Sequence, residues 1–181
     1  TWSIGKKSRI NDLPRFLQPF AILVRNLVQV LGLRKPKVYH LGREEVHRTL
    51  YLGVEYFYGA SVEGDIAEFG AMSGETAFTI LKTLKNLAIE TGKPIPVKVH
   101  LFDSFQGLPP ATSNVDKSSP RVISGEWEEG SFKELSKNEL IQVCSKVVDR
   151  DQFVVYDGWF KDTLLQIPLG VKFGMIHIDC D

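Results

Sequence analysis

The sequence predicts an α/β fold, a parallel sheet with helices in its crossovers. Short apolar runs alternate with segments of helical periodicity from residue 65 onward. Gly, Pro and polar clusters separate them. Four of the apolar runs finish in an acid, or in an acid beside glycine: Glu68/Gly70, Asp103, Asp157/Gly158 and Asp179/Asp181. In parallel sheets the carboxyl ends of the strands are where ligands sit.

The elements follow in order. Residues 16–33 put Phe16, Phe20, Val24, Leu27 and Leu31 on one helical face. That face suits packing on the domain or, being basic, a membrane surface or partner. Residues 44–58 predict a second helix, ending in Tyr56-Phe57-Tyr58 before Gly59. Asp65–Phe69 is a short strand, after which Ser73 can cap a helix running to about Ile89. Val97–Phe102 is the second strand and 104–130 a long polar loop. Helix is expected over 132–148 and 161–166, and strand over 153–156 and 173–178. Strand, helix, strand in repetition implies right-handed crossovers and parallel pairing. We therefore expect an N-terminal helical segment over 1–60 and a sheet domain over 61–181.

The 181 residues are 43% hydrophobic and 24% charged, the balance of one ordinary globular domain. Net charge is zero, so no nucleic-acid partner is expected. Basic residues concentrate early: ten Lys/Arg against three acids in residues 1–50. Cys144 and Cys180 build no disulfide framework, which favours a reducing, cytoplasmic setting. Gln18, Arg25, Asn26 and Gln29 interrupt the most apolar N-terminal run, so no membrane span is expected. A start at Thr1 without methionine, and a stop at Asp181 directly after an apolar run, suggest part of a longer protein.

The turn after the first strand, "FGAMSGETA", has the outline of a nucleotide-binding turn. Gly70 and Gly74 would let a ligand approach the backbone closely. Met72 stands where the dinucleotide fingerprint needs glycine, and no Lys-Ser/Thr follows for a Walker-type phosphate loop. Glu68 and Glu75 flank the turn, which favours a cationic ligand. S-adenosylmethionine, with an ammonium and a sulfonium and no phosphate, fits. Asp103 is placed to accept hydrogen bonds from ribose hydroxyls. Asp157, Gly158, Trp159 and Phe160 could receive an adenine ring. Asp179 and Asp181 alternate, share one face and repel unless a cation or proton joins them. Magnesium takes such carboxylates readily. His100 and His177 lie within apolar strands and read as packed histidines, and Cys180 should face away from the two acids.

In the order "GDIAEFGAMSGETA", "LFDSFQGLP", "GEWEEGSF", "DGWFKDTL", "IHIDCD", residues 64–181 resemble the macrocin O-methyltransferase (TylF-type) family. The resemblance implies a class I, Rossmann-like sheet of which these are the first four strands. It also implies S-adenosylmethionine and magnesium as cofactors, and a hydroxyl of a small molecule, a sugar or glycosylated natural product, as acceptor. Glu68, Gly70, Ala71 and Gly74 would surround the methionine part. Asp103, with Ser104 and Phe105, would hold the ribose, and Asp157, Gly158 and Trp159 would frame the adenine. Asp179 would bind the metal and Asp181 would act as general base. The loop 104–130 with Trp127 would be a lid. The family's later acidic pair and three further strands are not in this sequence. An NAD-dependent oxidoreductase and a non-catalytic partner-binding domain remain as rivals, and oligomeric state, a homo-oligomer included, is open.

Overall fold

The computed structural model describes residues 43–180. The helix expected over 16–33 and the base expected at Asp181 lie outside them. The described elements are α1 (Arg43–Gly59), β1 (Asp65–Phe69), α2 (Glu75–Thr91), β2 (Val99–Asp103), α3 (Asn114–Lys117), α4 (Pro120–Ile123), α5 (Lys137–Ser145), β3 (Phe153–Asp157), α6 (Phe160–Thr163) and β4 (Phe173–Ile178). Short 3-10 turns cover Arg150–Gln152 and Leu164–Gln166.

All pairings are parallel, in the order β3-β2-β1-β4. β1 is therefore interior, with Glu68 opposite Leu101 on one side and His177 on the other. Period-2 alternation divides its side chains between two cores. On one face Ile66, Val99, Leu101, Phe153 and Val155 pack with Val54 and Phe57 of α1, Ile80, Leu81 and Leu84 of α2, and Leu140 and Cys144 of α5. Burying each large apolar side chain contributes about 1.5–3 kcal/mol. The other face is aromatic. Phe69 stacks on Phe102 at 4.7 Å and Phe102 on Tyr156 at 4.3 Å, with Phe160 edge-on to Phe69. His100 is buried on this face, as expected, bonded to Asp65 at 2.9 Å and Tyr156 at 3.0 Å.

Several expected boundaries shift for local reasons. Gly74, not Ser73, is the N-cap of α2; its backbone is left-handed and no side chain caps it. Helix expected from 132 begins at Lys137, because Ser136 and Glu139 form a reciprocal capping box there. β2 starts two residues later than expected and ends on Asp103. The loop after β2 contains α3 and α4, the first capped by Ser113.

Candidate active site

The glycine turn is bent where β1 gives way to α2. Gly70 has φ 90°, and a Cβ there would collide with the carbonyl oxygen of Asp179. Only glycine lets the ends of β1 and β4 lie this close. Gly70 N–H donates to the Phe102 carbonyl at 2.9 Å, and Asp179 N–H donates to the Phe69 carbonyl at 2.9 Å. Asp103, at the end of β2, holds the turn from the other side. Its Oδ2 accepts from Ala71 N–H at 2.7 Å and Met72 N–H at 3.0 Å, and its Oδ1 accepts from Phe105 N–H at 2.7 Å. A carboxylate offers about four acceptor positions, so a further donor can still be accommodated.

Over these strand ends lies a cleft lined by Gly70, Met72, Asp103, Ser104, Gly107, Leu108, Pro109, Phe132, Trp159, Phe160, Asp179 and Cys180. Among the described residues its lining has two acids, apolar and aromatic walls, and no lysine or arginine. A second hollow lies on the other flank of the turn. Gly70, Met72, Phe132 and Asp179 border both, and His47, Ser73, Glu75, Thr76 and Arg121 belong to the second alone. His47 of α1 is fixed by a 2.7 Å hydrogen bond to Thr79 and lies 3.7 Å from Glu75. The loop after β2 is tied at its base, where Leu108 N–H donates to Ser131 O and Gly130 N–H to Leu108 O, each at 2.9 Å. Within it the Arg121 guanidinium lies 4.9 Å from the Trp127 ring.

Of the residues expected at the site, Gly70, Asp103, Ser104, Trp159 and Asp179 come together on the cleft wall, and Ala71 borders the second hollow. Others lie behind it. Gly74 faces away from the cleft: a Cβ would come within 2.9 Å of Leu140 and 3.3 Å of Leu135. Phe105 packs against the core, and Asp157 and Gly158 are not in the lining. Cys180 borders the cleft together with Asp179 instead of facing away, because β4 ends at Ile178 and strand alternation no longer applies. Phe132 and His47 went unread. Phe132 closes the "GEWEEGSF" stretch at φ 63°, where the local sequence assigns it no role, and His47 sits on an ordinary helix face.

Glu68 is fully buried and absent from the lining of both hollows. Its Oε1 meets His177 Nδ1 at 3.1 Å, while its Oε2 has no partner. The bond to Glu68 raises the His177 pKa above its ordinary 6.5, against the opposing effect of burial, with Asp179 adding to the rise. Among the described residues no three His, Cys, Asp or Glu side chains gather to hold a metal ion. The magnesium expected from the resemblance thus has one described candidate ligand, Asp179, and no assembled site. No described helix is long and apolar enough to cross a membrane.

The fold agrees with known structures. The chain is similar to the O-methyltransferase NovP, at 22% identity and a TM-score of 0.56, over 75% of this chain and 53% of that one. It is also similar to CalS11, a calicheamicin methyltransferase, at 18% identity and a TM-score of 0.54, over 98% of this chain and 74% of that one. The chain thus spans about half the length of NovP. No curated protein matches it in sequence. The macrocin-O-methyltransferase (TylF) family profile matches residues 35–181, most of the chain, and the protein belongs to that family.

Proposed function

We propose that this chain carries the cofactor site of an S-adenosylmethionine-dependent O-methyltransferase, acting on a hydroxyl of a sugar or glycosylated natural product. The observation that carries the reading is the cleft itself. It lies at the carboxyl ends of the strands, and its described lining has two carboxylates, aromatic walls and no basic residue. That lining suits a cationic, purine-bearing cofactor and disfavours a pyrophosphate. Family membership supports methyl transfer over hydride transfer.

Asp103 and Ser104 would meet the ribose, and Trp159 with Phe160 the adenine. Gly158, with φ 138°, would give the bend that brings Trp159 inward. Gly70 and Ala71 would meet the methionine part, with Glu68 and Gly74 behind them in support. Phe105 and Asp157 would shape the rim. The acceptor would enter beside Asp179, under the loop bearing Phe132. Its oxygen would attack the sulfonium methyl in line as the carbon–sulfur bond breaks, releasing S-adenosylhomocysteine. Asp181 would take the hydroxyl proton. Holding the two reacting atoms in line supplies much of the rate. Among the described residues Asp179 alone is a candidate magnesium ligand. A cysteine content that builds no disulfide framework supports a cytoplasmic site of action.

The test is calorimetric titration of the full-length protein with S-adenosylhomocysteine, followed by turnover of Asp181→Asn. Binding with abolished turnover in the variant is the expected result. A folded protein that binds no S-adenosylhomocysteine would return the reading of a non-catalytic domain.

A further inference from the structure

We infer that Glu68 and His177 are positioning residues, whose buried bond fixes the end of β4, and with it Asp179, against the glycine turn. The inference rests on the cleft being a methyl-transfer site only where it predicts turnover. Its structural part stands alone.

Glu68 and His177 are register partners on adjacent parallel strands, and their side chains meet at 3.1 Å. Glu68 is 0% exposed and His177 17%. A buried carboxylate costs several kcal/mol unless it is paired. Among the described residues His177 is the hydrogen-bond partner of Oε1 and Oε2 has none, so the acid depends on β4 being in place. Two residues beyond each partner, Gly70 and Asp179 lie backbone to backbone. Beyond the β1–β4 ladder, Asp179 N–H donates to Phe69 O. The charged or titratable groups that act on the pair's surroundings are Asp179 on β4, Cys144 on α5 and, through Cys144, Arg150. None of these is a second hydrogen-bond partner for Glu68. The chain end carrying Asp179 is thus held by main-chain bonds to β1 and by a side-chain bond that requires both residues.

Amide exchange of Asp179 in the full-length protein, read against Leu101 in the middle of β2, tests this. His177→Phe leaves a bare buried carboxylate and can fail to fold. The cleaner variant is Glu68→Leu with His177→Leu, since an apolar pair of similar size often replaces a buried ion pair without loss of stability. We expect the Asp179 amide of the double variant to exchange about tenfold faster or more, with Leu101 unchanged. His177→Asn, whose amide N–H can stand near the Nδ1 position, should keep Asp179 exchange within about threefold of wild type. Turnover should fall about tenfold in the double variant, by a larger factor than S-adenosylhomocysteine affinity. Asp179 exchange that does not change, or that rises together with Leu101, would overturn the inference. If the wild-type protein binds no S-adenosylhomocysteine, the reading of the cleft fails, and the exchange result still decides whether the bond positions Asp179.

Discussion

Asp103 is first of all a structural residue of the turn. Its carboxylate gathers three backbone N–H groups, two of them from the glycine turn, before any ligand arrives. Asp103→Ala should therefore cost stability as well as cofactor affinity, roughly 2–3 kcal/mol in chemical denaturation. Loss of affinity at unchanged stability would show that the three bonds contribute nothing. Its place at a strand end beside the cleft is readable from the sequence. Its grip on Ala71 and Met72 is not, because it depends on how two strands more than thirty residues apart come to lie side by side. Cys144 makes a similar point. Burial, with the Glu68 charge nearby, pushes its thiol up to about 12. It should resist a thiol reagent at pH 8 until the protein unfolds, while exposed Cys180 reacts at once. Two equally fast labelling phases in the native protein would contradict this.

Among the elements, β1 and α2 were the most legible, since alternation and helical spacing are properties of the local chain. The glycine between them was only half legible. A glycine at 74 could serve a ligand or a packing contact, and the structure places Leu135, Leu140 and Val143 over it. Those residues belong to α5 and the approach to it, some sixty positions later. Gly74→Ala should destabilise by about 1–2 kcal/mol through its left-handed backbone, with added crowding from Leu140. A shift in the denaturation midpoint without a change of slope would confirm it. α5 itself was predicted several residues too long at its start. Apolar periodicity extends past its true origin, while the Ser136–Glu139 capping box, a short-range signal present in the sequence, marks the start at Lys137.

At the scale of the whole molecule, the strand ends collect the acids on one side of the sheet, as their spacing implied. Which acids face the cleft was settled by topology. With β1 between β2 and β4, Glu68 is enclosed, while Asp103 and Asp179 reach the surface of the cleft. The enclosed pair should also govern how stability varies with pH. The folded-state pKa of His177 is raised above 6.5 by its bond to Glu68. The stabilisation is then complete below about pH 6.5 and fades as pH rises through the raised value. Thermal midpoints should fall over that interval in the wild-type protein, and His177→Asn should remove this component. A profile unaffected by the substitution would assign the pH dependence to other groups.

The same pairing has a consequence for the order in which the chain can fold. β1 finds its first neighbour, β2, after one helix, but its second neighbour carries His177, 109 residues after Glu68. During synthesis β1, β2 and β3 can associate while β4 is still unmade. In that interval the central strand has an open flank and an acid without its base. Closing so distant a contact is slow. The carboxylate therefore acts as a brake on premature collapse: the interior of the sheet becomes a favourable place for Glu68 only once the last described strand has been delivered.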